Sequence, residues 1–207
     1  MTDVNLRQFK PEKLFAPRGF TKPEIKAPQY LEIGAGRGKH ALMFAQENPD
    51  KNLIAIERTR NKFNDFADKA EQLSLRNLLA VHADAIPWVV HALPPKSLAG
   101  VFLLYPNPEP KNPSQRWFNM PFFEFLLSRM QDGAKLTLAT NIQTYIEEAE
   151  QQSKELWQLS PAVFEVDKGS QRTHFEVKYL ARGETCWQME LVKPDGYQTR
   201  FDEWGVD

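Results

Sequence analysis

The residues best placed to do chemistry stand at the ends of apolar runs, where a chain can present polar groups beside a buried sheet. LEIGAGRG carries Glu32, Gly34, Gly36 and Gly38, LIAIE ends at Glu57, NLLAVHAD ends at Asp84, and AKLTLAT runs into Thr140 and Asn141. Glycine at every second position lets a turn enter left-handed backbone and lets a ligand approach the main chain closely. Glu57 follows the turn by about 20 residues, the separation at which an acid can accept both hydroxyls of a ribose. Asp84 is placed to accept from an adenine amino group. Glu32, just before the turn, is unfavourable beside a diphosphate and favourable beside an ammonium group.

An adenosine joined to a cationic amino acid without phosphate is S-adenosylmethionine, and it fits these three acids better than a dinucleotide does. The glycine spacing, G-x-G-x-G, also departs from the G-x-G-x-x-G of dinucleotide sites. A strand-to-helix turn without a ligand is the alternative for the glycines alone. A second chemical segment is YPNPEPKNPSQRW, 105 to 117, placed directly behind the apolar run LAGVFLLY. Its prolines fix φ, remove amide donors and bias their predecessors away from helix, so it must be a stiff, extended loop. Tyr105 or Trp117 could offer a ring to a nucleobase, although core packing is the competing use, above all for Trp88 and Trp157. His40, His82, His91 and His174 have neither metal-ligand spacing nor a nucleophile beside them, so they read as surface or capping residues and no metal is expected.

The elements that must hold these groups alternate. Short apolar strands at YLEIG, LIAIE, NLLAVHAD, LAGVFLLY and AKLTLAT are separated by helical patterns over 38–47, 58–74, 86–93, 116–130 and 142–157. Strands apolar on both faces and separated by helices predict a parallel sheet covered on both sides, a doubly wound α/β fold. VFEV and TCWQMELV then predict an adjoining pair that closes the sheet with an antiparallel strand. In such a fold ligands sit outside the carboxyl ends of the strands, where the acids and glycines above lie.

With 207 residues the chain suits one core. A lone cysteine, Cys186, excludes a disulfide framework and reads as a buried strand residue. The start lacks a signal-peptide core and no apolar stretch could span a bilayer, so a cytoplasmic location without membrane contact is expected. A net charge of −1 leaves nucleic-acid binding to local patches. One such patch is the N-terminus: between residues 7 and 26, six basic side chains stand against Glu12 and Glu24, a balance of +4, with prolines that prevent regular helix. Composition favours a solvated, partly disordered tail there; phosphate contact is the other reading. The C-terminal YQTRFDEWGVD could pack or fray.

LEIGAGRGKHALMFAQENPDKNLIAIE followed by HADA, YPNP and RTHFEVKYLARGETCWQMEL resembles the bacterial tRNA guanine-N7 methyltransferases, from about Tyr30 to Lys193. The resemblance implies a seven-stranded Rossmann-like methyltransferase domain over 29–207 behind a basic arm over 1–28, with tRNA as partner, no metal, and a monomeric or homodimeric state. It assigns Glu32, Gly34, Gly36 and Glu57 to S-adenosylmethionine, with Asp84 near the adenine. Thr173 and Glu176, in T-H-F-E, correspond to residues of the cofactor and base pocket. Asn107 and Asn141 occupy positions where the family carries aspartates, and Glu109 stands at a tryptophan position. Of the family's basic cluster only Lys111 and Arg116 remain. The expected activity is therefore methylation of guanine N7 in tRNA. The alternatives are a relative turned to another substrate and a non-catalytic RNA- or partner-binding relative.

Overall fold

The computed structural model describes residues 7–26 and 28–205. Five apolar runs form parallel strands: β1 (Gln29–Ile33), β2 (Asn52–Glu57), β3 (Leu78–His82), β4 (Leu98–Leu104) and β5 (Met130–Thr140). β6 (Ala162–Glu165) and β7 (Trp187–Val192) complete one sheet in the order β3-β2-β1-β4-β5-β7-β6, in which β7 runs against both neighbours. The antiparallel closure expected from sequence is present.

The chain passes from β1 outward to β2 and β3, then returns to lay β4 against the other side of β1. That reversal opens a crevice at the carboxyl ends of β1 and β4. Helices α1 (Lys39–Glu47), α2 (Arg60–Gln72), α3 (Ala85–Ala92), α4 (Phe122–Arg129), α5 (Gln143–Glu155) and α6 (His174–Ala181) surround the sheet. Strand alternation separates two cores. Leu31, Ile33, Leu103 and Leu138 join the helices after β3 in the larger one, while Leu53, Ala55, Leu42 and Phe66 form the smaller one with α1 and α2.

Three segments differ from the sequence expectation. The helix expected over 116–130 is split into a 3-10 turn, Trp117–Asn119, and α4, because Pro121 lies between them and cannot continue a helix with its missing amide. β5 starts immediately at Met130, ahead of Gly133. The connection between β6 and β7, which no periodicity singled out, contains α6.

The N-terminal segment is anchored by four apolar residues while its basic side chains stay exposed. Phe9 lies edge-on to Phe122 at 5.6 Å and to Phe201 at 5.9 Å, and Leu14, Phe20 and Ile25 also pack on the larger core. The Leu14 carbonyl oxygen lies 2.7 Å from His91 Nε2. The C-terminal segment packs too. Buried Arg129 donates to the carbonyls of Leu93, Phe201 and Trp204 and lies 4.5 Å from the Phe125 ring centre. Burial pushes its pKa down to about 10, so it stays charged at neutral pH.

Candidate active site

The glycine turn is built by three left-handed residues, Gly34 (φ 81°), Gly36 (φ 59°) and Gly38 (φ 80°). They do different things. A Cβ on Gly38 would come 2.0 Å from Phe66 Cδ2, so this glycine is there to let α1 close on α2. A Cβ on Gly34 or Gly36 would meet nothing within 4 Å, so these two leave the main chain open to an approaching ligand.

Glu57 fixes that opening. It is 6% exposed, and its two carboxylate oxygens accept from Gly36 N–H at 2.8 Å and Thr59 N–H at 2.7 Å. An ionised carboxylate has about four acceptor positions, so each oxygen keeps one for a hydroxyl. Glu32 is 2% exposed and its Oε2 lies 2.9 Å from His40 Nδ1. His40, read from sequence as surface or capping, is instead buried at 6% exposure, with its ring 4.7 Å from that of Phe102. The reason is its position in the first turn of α1, directly over the Glu32 face of β1. Asp84 is exposed and accepts from Ile86 N–H at 3.0 Å, capping α3 at the end of the third strand.

The other half of the site leaves β4 and β5 together. Tyr105 N–H donates to the Ala139 carbonyl at 2.7 Å, which keeps the start of the proline loop beside the end of β5. Tyr105 (φ 52°) and Glu109 (φ 45°) hold left-handed backbone that is costly for non-glycine residues, and Asn107 stands exposed between them. Asn141, just past β5, donates its amide to Glu184 Oε2 at 2.7 Å. Arg116 is a strut: it donates to the Pro108 carbonyl at 2.8 Å and to Glu148 at 2.7 Å, and it lies over the Tyr145 ring. Its guanidinium is thus committed to the protein, unlike Lys111, which is exposed on the same loop.

Thr173 and Glu176 form a structural hub. Thr173 caps α6 by accepting from Glu176 N–H at 3.0 Å. The Glu176 side chain is fully buried and accepts from Tyr105 O–H at 2.6 Å, from Arg172 at 2.7 Å, and from Ser170. Burial alone would raise its pKa, but the hydrogen bonds from Arg172, Ser170 and Tyr105 outweigh it and bring the value down to about 2. Tyr105 is driven the other way, first by burial and then by its contacts with Cys186 and Glu176, so it remains a donor at every working pH. Sequence reasoning missed Arg172, Glu184 and the helix itself. T-x-x-E was the available signal, since it is a capping-box pattern.

Residues 26–189 match the family described as putative methyltransferase. The chain belongs to that methyltransferase family. Among curated relatives it is 31% identical over 175 residues to the tRNA (guanine-N(7)-)-methyltransferase of Nitrosospira multiformis, covering 82% of this chain and 76% of the relative. It is 30% identical to the tRNA (guanine-N(7)-)-methyltransferase of Myxococcus xanthus, covering 82% of this chain and 85% of that one. In fold this methyltransferase is similar to a methyltransferase from Pyrococcus furiosus, with TM-score 0.61 at 14% identity over 86% of this chain and 79% of that one. It is also similar to a SAM dependent methyltransferase from Aquifex aeolicus, with TM-score 0.56 at 16% identity over 81% of this chain and 84% of that one. Against that fold the methyltransferase brings Gly34, Gly36, Glu57, Asn107 and Asn141 to one edge of one sheet. It withdraws Arg116 and Glu176 into its own framework. Among the described residues, no helix is long and apolar enough to cross a membrane.

Proposed function

We propose that this methyltransferase uses S-adenosylmethionine to methylate N7 of guanine in tRNA. The observation that supports it most is the shared carboxyl edge. A glycine turn open to a ligand, the proline loop with Asn107 and the strand-end amide Asn141 lie along it, in a chain 31% identical to a tRNA (guanine-N(7)-)-methyltransferase. Gly34 and Gly36 would receive the cofactor against bare main chain, Glu57 would accept its ribose hydroxyls, and Asp84 would accept from its adenine amino group. Glu32, steadied by His40, would face its ammonium group. Bound there, S-adenosylmethionine supplies an electrophilic methyl group.

The remaining work is positioning. Guanine N7 carries a free lone pair at neutral pH, so the protein need not remove a proton from the nucleophile; it must hold the ring in line at close range. Asn107, on a loop stiffened by its prolines and by Arg116, would accept from the guanine edge at low entropic cost. Thr173 and Glu176 would act indirectly, by fixing α6 and the Tyr105 hydroxyl at the mouth of the loop. Lys111 would meet phosphate. The amides at 107 and 141 favour a second reading, a methyltransferase redirected to another substrate, because an amide accepts with one oxygen and sets a donor beside it.

N7-methylguanosine measured by mass spectrometry in tRNA incubated with protein and cofactor tests the proposal. A product with wild type that rises about 10-fold in rate with Asn107→Asp, at unchanged cofactor affinity, supports the tRNA reading. No product from either protein at saturating cofactor and low salt would remove it.

A further inference from the structure

We propose that Glu184, presented by Asn141, is the carboxylate that reads the Watson–Crick edge of the target guanine. The inference rests on the guanine-N7 reading and deepens it. In the register of the last strands, Thr140 of β5 stands opposite Trp187 of β7. The chain leaving β5 and the chain entering β7 therefore meet just beyond that pair. Asn141 donates there to Glu184 Oε2 at 2.7 Å. The second Glu184 oxygen lies 4.0 Å from Arg182 Nη1, too far for a hydrogen bond, and the Glu184 side chain is 37% exposed. One acceptor position is thus occupied; among the described residues Oε1 has the Arg182 cation near it, at ion-pair rather than hydrogen-bond distance, and keeps its acceptor capacity.

The location suits a base at the crevice. Tyr105 N–H is bonded to Ala139, two residues before Asn141, so the start of the proline loop and the Asn141–Glu184 pair border the same opening. Guanine presents N1–H and N2–H₂ side by side as donors; two oxygens of one carboxylate match N1–H and one N2–H in spacing and charge, and the second N2–H is left for the Asn107 oxygen. An amide alone cannot, since its second atom is a donor. The pair also explains why residue 141 is an amide: an aspartate 2.7 Å from Glu184 would set two carboxylates against each other without a cation between them. Asn141 orients the acid and Glu184 carries the charge.

The test compares wild type, Glu184→Gln and the charge-swapped double variant Asn141→Asp with Glu184→Gln. Each is assayed on tRNA transcripts with guanosine or with inosine at the target position. Inosine lacks the 2-amino group and keeps N1–H and N7. Glu184→Gln should lower kcat/KM on guanosine by about 10- to 100-fold, lose most of the preference for guanosine over inosine, and leave cofactor affinity unchanged. The swap should recover both the rate and the preference, which a misfolded single variant could not explain. Wild-type rate and preference in Glu184→Gln overturn the inference while leaving the guanine-N7 reading standing. So does a rate that falls in both variants with the preference intact. Absence of N7-methylguanosine with wild type overturns the reading itself, and the inference with it.

Discussion

Glu57 and Gly38 show how single residues divide the work of the turn. Glu57 holds Gly36 N–H and Thr59 N–H while keeping acceptor capacity, so it is both a brace and a ligand group. Glu57→Ala should weaken S-adenosylmethionine binding by about 1.5–3 kcal/mol, the range for charged hydrogen bonds, as read by calorimetry. Unchanged affinity would show that the ribose binds elsewhere. Gly38 is a packing residue. Gly38→Ala would drive a methyl into Phe66 from a left-handed backbone, so it should destabilise the fold by about 1–3 kcal/mol or more, typical of overpacking. Gly34→Ala carries only the backbone strain, because open space lies over it, and should cost about 1–2 kcal/mol. Denaturant midpoints that rank the two variants the other way would contradict this division.

At the level of elements, the alternating half of the chain was legible and the last third only partly so. Apolar runs, the first three ending in glycine or acid, marked β1 to β5 because a buried parallel strand needs continuous apolar residues. α6 escaped because it is short and half exposed, with Phe175 and Val177 facing outward, so it has no clean apolar stripe. His40 was misread because nothing local reveals that α1 lays it on Glu32. Glu184 escaped for the same kind of reason, since its partner Asn141 is 43 residues away.

The Glu176 hub sets an acid limb of stability for α6. Its folded pKa is lowered from 4.5 to about 2, so its contribution is complete above about 4.5 and is lost as pH falls toward 2. Relative to Glu176→Gln, wild type should therefore be more stable at pH 7, on the order of 3 kcal/mol, with the gap shrinking through that window. Urea titrations of both proteins from pH 7 to pH 2.5 measure it, and a gap independent of pH would mean that the carboxylate charge does not hold the hub.

Over the whole molecule, positive charge gathers in two places that the net value of −1 conceals. One is the rim of the crevice. Lys39 and Arg37, the latter paired with Asp65, flank the start of α1; after burial, Lys39, Lys69 and Arg37 hold the His174 pKa down. The other is the N-terminal arm with Lys10, Lys13, Arg18 and Lys22, which runs over α4, α3 and the C-terminal segment. Deleting the arm is a poor test of phosphate binding, because Phe9, Leu14, Phe20 and Ile25 pack against the core and their loss would expose its edge. Neutralising charges while keeping those apolar anchors separates the two roles. Lys10, Lys13 and Lys22 changed together to glutamine should leave the melting temperature near wild type, since all three side chains are exposed. If the arm touches duplex phosphates, the slope of log affinity for tRNA against log salt should flatten by about 0.9 for each contact removed. Lys39→Gln should flatten it at the rim and also slow methylation, because Lys39 opens α1 directly behind the glycine turn. A slope unchanged by the arm variant but reduced by the rim variant would make the arm a structural strap whose basic residues serve solubility, and would confine the RNA footprint to the carboxyl edge of the sheet.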